Sequence, residues 1–382
     1  VDLGPGRFRT FVRVQGVREV TGPLPGPLRG RGATMDPGAR FEPTQSEPLD
    51  DGWAGDGEAP PVLRTEVTDE HPRTVLSWNR SPDVPFELSL NPYRGCEHGC
   101  AYCFARPAHA YMGLSPGLDF ESRLFAKVGA AECLRRELAR PSHRVAPVAL
   151  GINTDAYQPI ERERRITRAI LEVLAETAHP VSIVTKSALV ERDLDLLAPM
   201  AERGLAQVAI SMTTLDRRLS RQLEPRAAAP ARRLETVARL SEAGVPVSLL
   251  VAPLIPVLTD AELEVLLDAG AAAGAVAAGY VLLRLPREVA PLFEDWLRTY
   301  EPLKAEHVLQ RLREAHGGRL YDSTFGHRMR GAGPYADLLR QRFRLARRRA
   351  GLEGHLVELD CSQFVPPVGG ACGGDSAQLD LF

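Results

Sequence analysis

Six short apolar runs, each followed by a longer amphipathic one, constrain this chain more than any other feature of its sequence. The runs are ELSLN (87–91), VALGIN (148–153), VSIVTK (181–186), QVAISMT (207–213), PVSLLVAP (246–253) and YVLLRL (280–285). Between them lie patterns such as ERRITRAILEVLAETA, DLDLLAPMAERG, ARRLETVARLSEAG and DAELEVLLDAGAAAG. Short β-branched runs suit strands, and apolar residues recurring every three to four positions suit helices. Gly204 and Gly244 stand just before the next run, where a helix C-cap belongs. A strand–helix repeat demands parallel strands, because each crossover returns the chain in the same direction. The fold class is therefore α/β. The nearly continuous apolar strands predict a sheet buried on both faces.

A curved parallel sheet gathers its reactive groups at the carboxyl ends of its strands. Polar residues follow that rule here: Asn153, Thr154 and Asp155 after the second run, Thr185 and Lys186 after the third, Ser211, Thr213 and Thr214 after the fourth. The first run leads into NPYRGCEHGCAYCFARP (91–107), where Cys96, Cys100 and Cys103 are spaced C-x3-C-x2-C. Three thiolates on one short loop can hold three irons of a [4Fe–4S] cluster and leave the fourth iron open to a small molecule. The alternatives are a structural zinc and inert thiols. Zinc wants a fourth ligand, and His98, inside the loop, would reach the same ion awkwardly. Structural zinc sites also usually come as two spaced pairs.

Composition narrows the setting. Of 382 residues, 25% are charged and 44% hydrophobic, with a formal net charge of −2, so overall charge calls for neither a nucleic-acid nor a membrane partner. The apolar stretch 261–285 is broken by Glu264, Asp268, Gly270, Gly274 and Arg284, and no run of ~20 apolar residues is present. VDLGPGRFRTFVRV lacks a signal peptide's apolar core, with Val1 and Met35 both candidate starts. Six cysteines, three of them within eight positions, favour a reducing, cytoplasmic setting over a disulfide scaffold. Four regions are expected: a disordered Gly/Pro/Arg-rich and acidic arm (1–70), the strand–helix domain (71–290), a helical basic extension (291–355) and a flexible glycine-rich tail (356–382).

C-x3-C-x-Y-C at the end of a first barrel strand resembles the radical S-adenosylmethionine (SAM) superfamily, over about residues 84–290. The resemblance implies a partial (β/α)6 TIM-type barrel of the radical SAM kind. It also implies a [4Fe–4S] cluster and SAM as cofactors, an electron donor such as a flavodoxin or ferredoxin, and reductive cleavage of SAM to a 5′-deoxyadenosyl radical. Tyr102 would line the adenine pocket. More narrowly, NPYRGCEHGCAYCFARP, GLDFESRLFAK, VTKS and SMTTLD are similar to the spore photoproduct lyase-like, "DNA repair photolyase" branch. That likeness would put Lys186 on the SAM carboxylate, Ser211 on its ribose, and Asn153 or Thr154 near the methionyl amine. Spore photoproduct lyase carries a hydrogen-donating cysteine at its second strand's end. Here GINTDAYQP has no thiol, a departure from the pattern of that lyase.

Three further features bear on the substrate. YDSTFGHRMRGAGPYADLL places His327, Arg328 and Arg330 in a glycine-bearing loop before a basic helix, a composition suited to phosphate. From 304 to 350 the chain has twelve basic against four acidic residues. Arg226, in LEPRAAAP, is a further candidate substrate contact. Finally Gln378, Leu379, Asp380, Leu381 and Phe382 resemble the peptide by which bacterial replication and repair proteins bind the DNA polymerase sliding clamp. The glycine tether before them would supply reach. Together these favour a radical SAM enzyme acting on damaged DNA, whose target base must leave the stack before a radical reaches it. The alternatives are radical chemistry on RNA, a peptide or a metabolite, and a non-catalytic clamp- or nucleic-acid-binding protein with a structural metal.

Overall fold

The computed structural model describes residues 22–23, 28–41, 63–354 and 358–367. The six runs form one sheet: β1 Leu88–Leu90, β2 Val148–Leu150, β3 Val181–Thr185, β4 Ala206–Ser211, β5 Val247–Leu254 and β6 Ala277–Leu282. They stand side by side in chain order, every neighbouring pair parallel. Leu76–Trp78 adds an antiparallel edge against β1. The result is the expected partial barrel, with all six carboxyl ends on one rim.

β6 begins three residues before its apolar run. Ala277, Ala278 and Gly279 have little strand propensity of their own, but they pair with Ser248, Leu249 and Leu250 of β5, and tertiary pairing decides. Burial on both faces is also corrected. Leu88, Leu90, Val148, Leu150, Val181, Ile183, Val208 and Ile210 are 0–1% exposed and pack on the helices. Ser89, Ser182, Val184, Gln207 and Ala209, on the alternate face, are only half-buried. The concave side is small and partly polar, as an open barrel requires if a ligand is to enter.

A second sheet, absent from the sequence reading, joins Glu66–Glu70, Arg123–Lys127 and Tyr93–Arg94. It braces the entry to the cysteine loop. The stretch read as a disordered arm is therefore not uniform. Besides Glu66–Glu70, residues 28–41 are in place, with Arg31, Ala33 and Thr34 buried.

Past β6, helices Val289–Tyr300, Ala305–Ala315 and Pro334–Arg349 form the basic extension. Trp296 is fully buried and stacks on Phe293 with ring centroids 5.5 Å apart. In the last helix Leu339, Phe343 and Ala346 face the core, while Leu338 and Leu345 stay exposed. Arg342 pairs with Glu264 at 2.7 Å and Arg349 with Asp268 at 2.6 Å, so this face is partly neutralised by the helix beneath it. Residues 358–367, expected as tail, are docked. Asp360 N–H donates to Gly204 O and Val365 N–H to Thr177 O, which places Cys361 at the amino end of the sheet, away from the cysteine loop. The pentapeptide 378–382 lies outside the described residues. Among the described residues no helix is long and apolar enough to cross a membrane.

Candidate active site

The cysteine loop takes its shape from two glycines and one buried ion pair. Gly95 and Gly99 have φ of +74° and +64°. A Cβ at Gly99 would lie 2.2 Å from Glu121 Oε2, so both handedness and space call for glycine there. Arg106 is 0% exposed. Its guanidinium donates to Cys100 O (2.9 Å), Gly99 O (3.1 Å), Pro116 O (3.1 Å) and Gly117 O (2.7 Å), and pairs with Glu121 at 3.1 Å. Glu121, equally buried, also accepts the amides of Gly32 and Ala33, each at 2.8 Å. One ion pair thus ties the loop to the segment 28–41. Neither residue was marked by the sequence reading, since a charged side chain carries no local sign that it will be buried.

Cys96 and Cys100 are buried and Cys103 half-buried, all as free thiols. Burial pushes the Cys100 thiol up to about 12, with the Glu224 carboxylate adding to the effect and Lys186 opposing it. Cys96 is raised likewise, although the Asp155 amide donates to its sulfur. Buried thiols of this kind become thiolates when a metal replaces the proton. His98, the candidate fourth zinc ligand, instead has Nδ1 3.3 Å from Asp155 Oδ2. Among the described residues no three His, Cys, Asp or Glu side chains are placed to share one ion. A cluster asks something different, one iron for each thiolate, and three free thiols on one glycine-shaped loop suit that donor set.

Beside Cys100 three expected residues come together. Lys186, just past β3, donates from Nζ to Ser211 Oγ at 2.8 Å, and Nζ stands 5.9 Å from the Tyr102 ring centroid. Ser211 ends β4 and donates to Ala252 O at 3.0 Å. The Tyr102 hydroxyl lies 3.1 Å from Thr213 Oγ1 and donates to Glu224. Glu224 is bound on its other oxygen by Arg233, whose Nη1 donates to Ser211 O at 2.9 Å. Glu224 and Arg233 are additions to the sequence-derived site. The only signal for Glu224 was its place beside Arg226 in LEPR.

Other expected residues are placed differently. The Thr154 hydroxyl donates to Tyr93 O at 3.0 Å and is buried, so it anchors the lead-in to the loop and does not face the ligand space. Asn153 is exposed, its amide held by Asn91 Oδ1, and it lines a groove at the rim. Arg226 is engaged by Glu97 (2.7 Å) and Gly30 O (3.1 Å), bracing the cysteine loop in place of meeting substrate. Arg328 is held by Asp83 (2.5 Å) and by Ser81, His327 lies 3.9 Å from Asp322, and Arg330 lies over the Tyr280 ring. Asp83 and the Ser81 hydroxyl thus take up Arg328, whereas Arg330 meets only the Tyr280 ring among the described residues.

Asp155 and Glu224 make stability depend on acid pH. Burial alone would raise both carboxyls. The contacts to His98, Thr185 and the Lys186 amide outweigh it for Asp155, as Arg233 and Lys186 do for Glu224, and each is held at about 2, below the ordinary 3.8 and 4.5. A carboxyl lowered by folding stabilises fully above its unfolded value and loses that contribution as pH falls through the folded one. Unfolding free energy is therefore expected to drop between about pH 5 and pH 2. Glu224 accounts for about 3 kcal/mol of that fall. Denaturant titrations at stepped pH, followed by near-ultraviolet circular dichroism, would read the slope, and Glu224→Gln should flatten it. An unchanged slope in that variant would contradict the assignment.

A family model described as the radical SAM superfamily matches residues 90–269. An uncharacterized protein of Mycobacterium tuberculosis (strain ATCC 25618 / H37Rv) is 39% identical over 235 residues, covering 61% of this chain and 68% of the relative. One from Methanocaldococcus jannaschii is 28% identical over 176 residues, 45% of this chain and 62% of that one. Among solved structures, spore photoproduct lyase complexed with a dinucleoside spore photoproduct superposes with a TM-score of 0.53 at 14% identity, over 74% of this chain and 79% of that one. A variant of that lyase with bound AdoMet and the dinucleoside gives 0.52 at 14% identity, over 74% and 78%. At such identity the likeness is one of fold. With the cysteine loop inside the matched segment, the chain belongs to the radical SAM superfamily, enzymes whose cofactors are a [4Fe–4S] cluster and SAM.

Proposed function

We propose that Cys96, Cys100 and Cys103 hold the cluster, that SAM is bound by Lys186 and Ser211 with Tyr102 beside its adenosine, and that the resulting radical acts on nucleic acid. The observation that carries the reading is the meeting of Lys186, Ser211 and Tyr102 next to Cys100 at the carboxyl ends of β1, β3 and β4. Held by Cys96, Cys100 and Cys103, a cluster would supply an open iron for SAM and the electron for cleaving its sulfonium. The chain's part is placement. Among the described residues the Lys186 ammonium donates only to Ser211, which leaves donors for a ligand carboxylate. Glu224 fixes the Tyr102 hydroxyl, and Arg233 neutralises Glu224 so that it does not repel an incoming carboxylate. The Asp155 amide supports negative charge on the Cys96 sulfur.

Nucleic acid as substrate draws support from the clamp-like pentapeptide Gln378–Leu379–Asp380–Leu381–Phe382. The fold shared with a lyase solved with a dinucleoside photoproduct is consistent with it. The described thiols outside the cysteine loop do not supply the hydrogen donor that the resemblance implies for that lyase. Among the described residues Cys133 is buried in helix Ala130–Leu138 and Cys361 sits at the opposite end of the sheet, so neither thiol serves the rim.

The test is anaerobic reconstitution, reduction in the presence of SAM, and detection of 5′-deoxyadenosine. Lys186→Met is expected to retain iron while weakening SAM binding about 10- to 100-fold, the worth of a hydrogen bond to a charged group. Equilibrium dialysis with labelled SAM reads this directly. Wild-type affinity in Lys186→Met would remove the assignment, and absence of 5′-deoxyadenosine from the wild-type protein would remove the function.

A further inference from the structure

Arg328 is taken up by Asp83, Arg330 lies over the Tyr280 ring, and two further arginines on the rim likewise have no acid partner among the described residues. Arg284 follows β6, and its guanidinium lies 4.2 Å from the ring centroid of Phe104, the residue after Cys103. Among the described residues it has no hydrogen bond or ion pair, and burial lowers its pKa. Arg287 sits in the left-handed region at φ +52° and donates to the Tyr111 hydroxyl at 2.9 Å, with no carboxylate partner among the described residues. The nearby acids are already engaged, Glu288 by Arg40 and Asp83 by Arg328. A half-buried cation without an acceptor is costly unless a ligand supplies one, and a strained non-glycine residue marks a place where the surroundings impose geometry.

Phe104, Tyr111, Asn153, Pro286 and Arg287 are among the residues that line an open groove of about 260 Å³. Phe104 is 36% and Tyr111 65% exposed, the Tyr111 ring also meeting Phe41 with centroids 5.4 Å apart and the Arg40 guanidinium at 5.7 Å. The groove begins at the residue after the third cysteine, at the mouth of the site. Aromatic planes interleaved with uncompensated guanidinium groups are the composition that binds unstacked nucleotides, bases on the rings and phosphates on the arginines. An acidic peptide would meet the arginines but give the planes nothing to stack. We propose that this groove binds a single-stranded or flipped-out nucleotide segment, with a base against Tyr111 or the open side of Phe104 and flanking phosphates on Arg284 and Arg287. This deepens the proposed function and rests on it only for what happens to the bound nucleotide.

The experiment is fluorescence anisotropy of the reconstituted, full-length protein with a short labelled single-stranded oligonucleotide, titrated at several salt concentrations. The wild type should bind with steep salt dependence. Arg284→Gln should weaken binding at least ~10-fold, and the slope of log affinity against log salt should shrink by about 0.7 for the lost phosphate contact. Tyr111→Ala should weaken it about 5- to 100-fold. Arg284→Lys should keep the wild-type slope. Should Arg284→Gln load iron poorly, the exposed Arg287→Gln carries the same expectation. Salt-independent or absent wild-type binding, unaltered slopes in both arginine variants, or displacement of the oligonucleotide by a polyglutamate peptide at equal concentration would each overturn the groove. Wild-type SAM cleavage without oligonucleotide is read in parallel. Its loss counts against the proposed function, whereas normal cleavage with no oligonucleotide binding counts against the groove alone.

Discussion

Cys100→Ala is expected to abolish the cluster, taking iron from about four per chain to near zero, with loss of the brown chromophore and of 5′-deoxyadenosine formation. The fold should survive. The Cys100 carbonyl, which Arg106 binds, is backbone and unaffected by the substitution, and a single sulfur at a loop position is a small loss of packing. Cys96→Ala and Cys103→Ala should behave alike. Cys133→Ala is the control: that thiol is 1% exposed in a helix, so its removal should cost about 1 kcal/mol of stability and no iron. Iron and sulfide analysis with the visible spectrum decides the matter. A colourless wild-type protein carrying stoichiometric zinc would sink the cluster assignment.

Arg106→Met should be the most destabilising single change near the site, by about 3–5 kcal/mol, because it leaves the Glu121 carboxylate buried without its counter-charge. It also strips the donor from Cys100 O, Gly99 O, Pro116 O and Gly117 O. Adding Glu121→Leu removes the unpaired charge, yet the amides of Gly32 and Ala33 then lose their acceptor, so recovery should be partial. Urea unfolding of the apo chain measures the stability. Release of iron to a chelator measures the loop, and should quicken about 10-fold or more in Arg106→Met, the effect of losing support behind metal ligands. A variant unfolding within 1 kcal/mol of wild type would show that the loop is held some other way.

How much of this was legible beforehand depended on the range of the interaction. The barrel strands were visible because β-branched runs and amphipathic helices announce themselves over a few residues, though β6 starts earlier than its run, its first pairs set by β5, and β2 ends at Leu150, short of the run 148–153. Lys186 and Ser211 could be placed because a strand's end in a parallel sheet points to a known rim. The small sheet was invisible: EVTDE at Glu66–Glu70 is mostly charged and becomes a strand by pairing with Arg123–Lys127. Thr154 was assigned to the right rim and the wrong direction, because which way a side chain turns past a strand's end depends on its neighbours, here Tyr93 O.

The sequence by itself determined the α/β class, the order of the six strands and the C-x3-C-x2-C loop after the first of them, all properties of residues close together in the chain. Tertiary structure alone decided which charges are satisfied. Glu121 meets Gly32 across 89 positions, Arg226 meets Glu97 across 129, and Arg328 meets Asp83 across 245, while Arg284 and Arg287 meet no acid among the described residues. Hydrophobic periodicity is written locally, whereas the partner of a charge is fixed by whichever distant segment folding brings within 3 or 4 Å of it.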